Sequence, residues 1–515
     1  MRKLSTFIYI LAIALITISC NKRIEEYNQN FEALNPSNID LNAGNWKPIV
    51  ITSNANFPLP APSDVTSANY KAELVELKTL SSNLSAEQKS IINYWKVGSV
   101  LRWNEIIREL VAKHNLPPYQ NPDNTYPVPS AANPFAYPEF PFSNPPYAAR
   151  AYAYVSCAQY DALIFAHKFK SQFNRAAPYK SDASLQVSVP KSDLPSYPSE
   201  DAVIAGASYE MLKLLFPADI DYITKKVEEE KNYRLWSGAN VKSDIIAGDS
   251  LGRWVARQVL QRARADGMGA AGGNAGVWKK LEDDCIARGE TPWYSLETPK
   301  RPPMLPLFGN VKPLLFAATE VALLRAVPPP ASNSTQMRKE LDELLGYVKS
   351  NNKEYMRIVN FWADGAGTYT PPGHWNAIAT TEFVNQKYSE VRWARNYALL
   401  NSALMDAAIV CWNTKYFYFN ARPCQLDPTI KTLTGVPNFP AYISGHSTFS
   451  AAAAQILSYL IPQKANHFKA MAKEASESRI FGGIHYRSDC EEGLRVGQNV
   501  GQFAVERAKV DGANK

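Results

Sequence analysis

The sequence predicts an all-α protein made of helical bundles. Three observations predict it. Apolar residues recur at helical spacing over long stretches, cap signals open several of those stretches, and strand-like alternation is scarce. Loops containing proline or glycine separate many of the helical runs. The chain has 515 residues, 46% of them hydrophobic, so it can bury a sizeable core. That length allows two or more domains or one large one.

The first element, residues 1–19, reads as a targeting signal. Arg2 and Lys3 precede an apolar stretch over 7–18 that is too short for a comfortable membrane span. Cys20 follows Ser19, and the pattern resembles the lipobox of bacterial lipoproteins. That resemblance implies cleavage before Cys20, a diacylglycerol on its sulfur, and an exported protein lipid-anchored to a bacterial membrane on its periplasmic or cell-surface face. No later apolar run is long enough to span.

Residues 20–84 are rich in Asn, Ser and Pro and read as a tether followed by an irregular N-terminal arm. An N-terminal helical bundle is expected over 85–330. Ser85-Ala86-Glu87-Gln88 has the form of a capping box, opening a helix to about His114 with Ile91, Trp95, Val100 and Ile106 on its apolar positions. Residues 116–149, dense in proline and aromatic residues, read as a long ordered loop. Helical patterning resumes over 148–170, 199–215 and 242–265, with loops at 267–276 and 299–313. A C-terminal helical domain is expected over 331–515, with helices at 334–350, 352–363, 376–414, 447–462, 464–477 and 489–508.

Net charge is +7 for the whole chain, and loss of Arg2 and Lys3 with the signal leaves +5. That is mild at this size, and no basic run is interleaved with aromatics, so nucleic acid is not an expected partner. Beyond Cys20, five cysteines remain: Cys157, Cys285, Cys411, Cys424 and Cys490. The odd number and the lack of metal-ligand spacing point to buried thiols.

The chemistry is concentrated in three short motifs. Lys415 and Arg422 lie seven apart; on a continuous helix both emerge on one face, with Pro423 ending the helix. Ser444-Gly445-His446 precedes the small-residue run Ala451 to Ala454, which places it at a helix N-terminus. There free amides and the helix dipole favour an anion, Gly445 allows close backbone approach, and Ser444 can donate to an oxyanion or cap the helix. Arg479 and His485 flank Gly482-Gly483, and Asp489 lies four residues beyond His485, within reach of one imidazole nitrogen. Taken singly, these motifs read equally well as a basic face, a helix cap and a structural His–Asp hydrogen bond.

In this order, Lys-x6-Arg-Pro, Ser-Gly-His and Ser-Arg-x5-His-x3-Asp resemble the three-part signature of the type 2 phosphatidic acid phosphatase and vanadium haloperoxidase superfamily. One position departs: Ile443 stands where a proline usually precedes Ser-Gly-His. The resemblance implies that Lys415, Arg422 and Arg479 neutralise the equatorial oxygens of a bound oxyanion and that Ser444 and the Gly445 amide hydrogen-bond them. It implies that His485 attacks a phosphate or binds vanadium, and that His446 is the acid–base partner opposite.

Further residues resemble the vanadium haloperoxidase branch. Trp412 lies three residues before Lys415, and Pro437 to Tyr442 resembles a Pro-x-Phe-Pro-Ala-Tyr stretch that places Phe439 beside the site. Phe361-Trp362-Ala363-Asp364-Gly365 followed by Thr370-Pro371-Pro372 is similar too, and implies that Asp364 pairs with an active-site cation, Arg479 above all. His374 is expected near the pocket as a buried structural histidine.

This reading implies a vanadate cofactor, with hydrogen peroxide and halide as substrates, Lys415 polarising the bound peroxide, and Trp412 and Phe439 lining the halide approach. The alternative is an exported acid phosphatase that needs no cofactor. There His485 is the nucleophile on a phosphomonoester, Asp489 orients it and His446 protonates the leaving alcohol. A third reading, a surface lipoprotein with an inactive pocket, gives no reason to retain Lys415, Arg422, His446, Arg479 and His485 together.

Overall fold

The computed structural model describes residues 31–115, 144–297 and 300–513. The expected signal segment with Cys20, and most of the proline-rich stretch 116–149, lie outside those residues. Among the described residues every extended element is a helix. They are α1 (Ala68–Ser81), α2 (Ala86–Trp95), α3 (Ser99–His114), α4 (Pro145–Phe173), α5 (Pro178–Ser181), α6 (Glu200–Leu215), α7 (Ile220–Trp236), α8 (Lys242–Arg264) and α9 (Ala275–Ala287). The C-terminal half adds α10 (Thr335–Lys349), α11 (Lys353–Phe361), α12 (Thr370–Phe383), α13 (Glu390–Tyr418), α14 (Pro423–Leu426), α15 (Gly445–Leu460), α16 (Ala465–Phe481) and α17 (Arg487–Val510). The all-α expectation holds.

Local signals explain where many helices begin. The Ser85 hydroxyl accepts from the Gln88 amide (3.1 Å) while the Gln88 side chain accepts from the Ser85 amide (2.9 Å), completing the expected capping box. Ser389 caps α13 and Ser444 caps α15 by accepting from Arg392 N and Ser447 N.

Three expected helices end differently. The helix expected from Ser85 to His114 divides at Gly98, whose φ of 127° only glycine adopts freely. The helix expected over 376–414 is two, α12 and α13, separated by a turn in which Lys387 is left-handed. Most consequentially, Lys415 and Arg422 do not share one helix. Phe419 takes a left-handed conformation (φ 56°) and ends α13, and Arg422 is the N-cap of the four-residue α14, so Pro423 starts a helix rather than stopping one. The pattern does not predict α5, α7, α9 and α14, nor α1, which lies in the arm expected to be irregular.

The core is organised by two 29-residue helices, α4 and α13, which pack on each other and are buried along most of their lengths. Helices α6 and α8 pack together against α4; α15 and α17 pack against α13 and against each other, and α16 packs on those two. The expected boundary near residue 330 falls in the loop between Glu320 and Thr335, inside one compact unit spanning Leu34–Lys515. Buried carboxylates stitch irregular segments to the long helices. Asp161 on α4 accepts from the amides of Ile49, Val50 and Ile51 (2.7, 2.8 and 2.9 Å), and Asp406 on α13 from those of Leu314 and Leu315 (2.8 and 2.9 Å). No described helix is long and apolar enough to cross a membrane.

Helix α17 lies against α15 through Gly493, Gly497 and Gly501, each four residues apart on one face. A Cβ at Gly493 would stand 2.7 Å from Ser447 Cβ and 2.9 Å from the Ser444 carbonyl. The Gly493→Ala variant should therefore be less stable by about 1–3 kcal/mol, overpacking outweighing the better helix propensity of alanine. Urea unfolding of the two proteins measures this; equal midpoints would show that the helices do not meet here.

Candidate active site

The three motifs converge where α13, α15 and the α16–α17 turn meet. Lys415, on the last turn of α13, has no exposed surface, and its Nζ donates to the carbonyls of Pro440 (3.0 Å) and Ala441 (2.9 Å). Arg422 is equally buried. Its Nε donates to Phe439 O (3.0 Å) and Nη1 to Ile484 O (3.0 Å), and Nη1 also lies 3.0 Å from His485 Nε2. Arg479, on α16, donates through Nε to Ser478 Oγ (2.8 Å) and through Nη2 to Val359 O (3.2 Å). Buried peptide carbonyls, rather than carboxylates, thus supply most of the hydrogen bonds made by the three cations.

His485 lies in the turn after Gly482-Gly483 and before α17, so it and Asp489 face one another across a helix N-cap. Nδ1 is 2.7 Å from Asp489 Oδ2, which also accepts from Tyr486 N (3.2 Å). Asp489 fixes the tautomer: Nδ1 carries the proton, and the Nε2 lone pair faces the Arg422 guanidinium. The Asp489 carbonyl accepts from Ser444 N (2.9 Å), tying the second motif to the third. Ser444 is buried as the α15 cap, and Gly445 and His446 follow on its first turn. An added Cβ at Gly445 would meet only Phe449 and Trp412, each at 3.9 Å, so its open side faces empty space.

That space is a cavity of about 430 Å³, whose walls include Gly445, His446, Arg479, His485, Trp412 and Phe439. Lys415, Arg422 and Ser444 lie behind the wall. Phe439 covers both cations, its ring centroid 5.1 Å from Lys415 Nζ and 5.0 Å from Arg422 Cζ, and its ring meets Trp412 at 5.0 Å. Arg422 Nη2, His446 Nε2 and Asp364 Oδ2 are buried polar atoms of the site without a hydrogen-bond partner.

Asp364 differs from expectation. Its Oδ1 accepts from His374 Nδ1 (2.9 Å), while Oδ2 has no hydrogen-bond partner and lies 3.7 Å from His446 Nε2. Arg479 feels Asp364 through its charge, but Asp364 is hydrogen-bonded to His374. The His374 ring is held against Trp362 (centroids 4.6 Å apart) and Phe361 (4.9 Å), so this buried histidine orients the carboxylate that approaches His446.

Sequence reasoning missed other residues that line the cavity, among them Glu297, Arg301, Met304 and Phe449. Glu297 and Arg301 form a two-pronged ion pair there. Glu297, Arg301 and Met304 lie outside the helices, and no periodicity or other signal in the sequence marks them.

Burial governs the electrostatics. It pushes the Arg422 and Arg479 guanidinium groups down to about 10 and lowers the Lys415 ammonium. Burial also holds His446 and His485 well below their ordinary 6.5, and neighbouring cations add to this. Asp489 is pushed up by burial against the pull of Lys415 and Arg422. The folded site therefore resists further protons, and a bound anion relieves that resistance. Among the described residues no group of three or more His, Cys, Asp or Glu side chains is arranged to hold a metal cation. The donors present are cations, an amide and a lone imidazole, a set suited to an oxyanion. All five described cysteines are free thiols, and four of them are buried.

Comparison with known proteins agrees with this geometry. Residues 396–507 match the PAP2 superfamily model and form a domain of that superfamily. Vanadium chloroperoxidase of Curvularia inaequalis is 33% identical over 128 residues; the match covers 19% of this chain and only 21% of that protein. A structure described as that of the first bacterial vanadium-dependent iodoperoxidase superposes with a TM-score of 0.59 at 21% identity, over 79% of this chain and 96% of its own. The two share a fold.

The depressed histidines predict a pH dependence. Below about pH 6.5 the unfolded chain takes up protons that folded His446 does not, so His446 makes stability fall as pH falls. The His446→Asn variant should flatten the stability–pH slope between pH 6.5 and 5 by up to about 1.4 kcal/mol per pH unit. Urea unfolding across that range checks this; parallel curves would mean that folded His446 titrates normally.

Proposed function

We propose that this chain is a vanadium-dependent haloperoxidase, which oxidises halide with hydrogen peroxide. The observation that carries the proposal is the excess of buried positive charge beside a cavity, with Arg422 Nη2 left without a hydrogen-bond partner. An unpaired buried guanidinium N–H costs about 1–3 kcal/mol or more; a tetrahedral oxyanion satisfies it. The vanadium chloroperoxidase match and the shared fold with the iodoperoxidase support vanadate as that oxyanion.

The residues present suit the group. Lys415, Arg422, Arg479, Ser444 and the Gly445 amide would hold its oxygens, and the His485 Nε2 lone pair, backed by Asp489, would ligate it. When bound, vanadate supplies a Lewis-acidic centre that activates hydrogen peroxide without changing its own oxidation state. His446 is neutral near pH 7, hydrogen-bonds the backbone at Trp362 and leaves Nε2 free, so it is a base ready to take a proton from incoming peroxide. Asp364 Oδ2, at 3.7 Å, then stabilises the imidazolium. Phe439 and Trp412 pack beside Lys415 and Arg422 and keep water from them, which keeps their field strong where charge develops.

The 2.7 Å His485–Asp489 pair also favours a second reading, hydrolysis of phosphomonoesters with His485 as nucleophile. One preparation decides. Residues 21–515, stripped of vanadate, should oxidise iodide or bromide with peroxide only after vanadate is restored, and inorganic phosphate should compete. The His485→Ala variant should lose activity at least about 100-fold. Ester hydrolysis inhibited by vanadate, without halide oxidation, would establish the phosphatase instead.

We also propose export and lipid anchoring through Cys20, supported by Arg2, Lys3, the apolar stretch and the small residue before the cysteine. In a bacterial host the full-length protein should fractionate with membranes, and the Cys20→Ser variant should move to the soluble fraction; an unchanged distribution would refute the anchor.

A further inference from the structure

The cavity holds a second reactive group that halide oxidation does not use. Met304 lines the same cavity as His446 and His485. Its backbone is fixed at three points: its carbonyl accepts from Trp412 Nε1 (3.1 Å) and from the Tyr416 hydroxyl (2.6 Å), and its amide donates to Asn438 O (3.2 Å). The residue is half-buried and held at the wall by the helix that carries Lys415. Met211, Met337 and Met405 are buried in the core, Met268 and Met471 are half-buried, and Met356 on α11 is 45% exposed. None of these lines the cavity, and neither does a described cysteine. The Met304 thioether is therefore the softest nucleophile where the proposed oxidant is released.

We propose that Met304 is a built-in oxidation site: hypohalous acid formed in the cavity converts its thioether to the sulfoxide, and this sets the number of turnovers the protein survives. The inference rests on the haloperoxidase reading above. In the step, the sulfur lone pair attacks the halogen and the halogen–oxygen bond breaks. Water then adds to sulfur and halide leaves, so that R2S + HOX gives R2SO + X⁻ + H⁺. Sulfur loses two electrons, halogen gains them, and the proton passes to solvent. The product places a polar, chiral S–O group on a wall shared with Trp412, Phe439 and Phe449. Because the change is reversible by methionine sulfoxide reductases, it leaves a route to recovery.

The test compares oxidant made inside the cavity with oxidant added outside. The vanadate-loaded protein turns over bromide and peroxide while bromide oxidation is followed, and peptides are mapped by mass at intervals. A parallel sample receives reagent hypobromite in bulk. The expected result is one added oxygen on Met304 ahead of Met356 during turnover, with Met356 first in the bulk sample. The Met304→Leu variant, which keeps the backbone hydrogen bonds, should complete about threefold or more turnovers before inactivation, each protein counted against its own initial rate. Bromide oxidation with Met304 unmodified, or the same order of oxidation in both samples, overturns this inference and leaves the haloperoxidase reading intact. Absence of any vanadate-dependent halide oxidation overturns both. If Met304→Leu fails to fold, the order of oxidation in the wild-type chain still decides.

Discussion

The burial of three cations without matching carboxylates is the constraint on which the site depends. Lys415, Arg422 and Arg479 are essentially inaccessible, and a charge taken from water costs several kcal/mol unless its donors are met. The protein meets most of them with peptide carbonyls: Pro440, Ala441, Phe439, Ile484 and Val359. Carbonyls satisfy geometry but carry no net charge, so the region stays positive and its last donor, Arg422 Nη2, stays unmet. A further carboxylate beside these cations would cancel the remaining positive charge and with it any attraction for an anion.

Rigid placement follows from the packing around that charge. Each carbonyl that accepts from a cation belongs to a segment fixed by something else. The stretch before Ser444 is held by the α15 cap and by the amide of Ala441 donating to Asn420. The His485 turn is held by Asp489, whose own carbonyl accepts from Ser444. The glycine face of α17 lets it approach α15 closely enough for this contact. Motifs separated by tens of residues thereby share backbone hydrogen bonds, and small helix shifts would be felt at the imidazoles.

The sequence pointed to the residues that converge on the cavity, because its three motifs combine cations, a cap and imidazoles in an order that no bland pattern supplies. It also revealed the capping box at Ser85 and the helix start at Ser444, where one side chain decides the local backbone. It failed where the backbone turned without glycine or proline. Phe419 ends α13 in the left-handed region inside an aromatic run that looks like packed helix, and Lys387 breaks a pattern that reads as continuous. Helix α7 carries a highly charged middle, and its helicity follows from packing against α2 and α6. The wall formed by Glu297, Arg301 and Met304 was invisible because loop residues acquire a role only from where folding carries them. Asp364 was recognised as a neighbour of the site, yet its partner, His374, was settled by ring packing that no local pattern encodes.

The position of Asp364 bears on how such a protein can diverge. The receptor lies wholly within residues 396–507, the stretch that matches the PAP2 superfamily, whereas Asp364 and His374 come from an upstream loop and helix in which Asp364 itself is left-handed. Under the proposed function, anion capture and the basicity of His446 thus rest on separate stretches of chain. A lineage could retune proton handling, and with it the reaction or the working pH, by redrawing that upstream loop while leaving every cation in place. Descendants with identical signatures need not share a chemistry, and the informative differences between them would lie upstream of the signature.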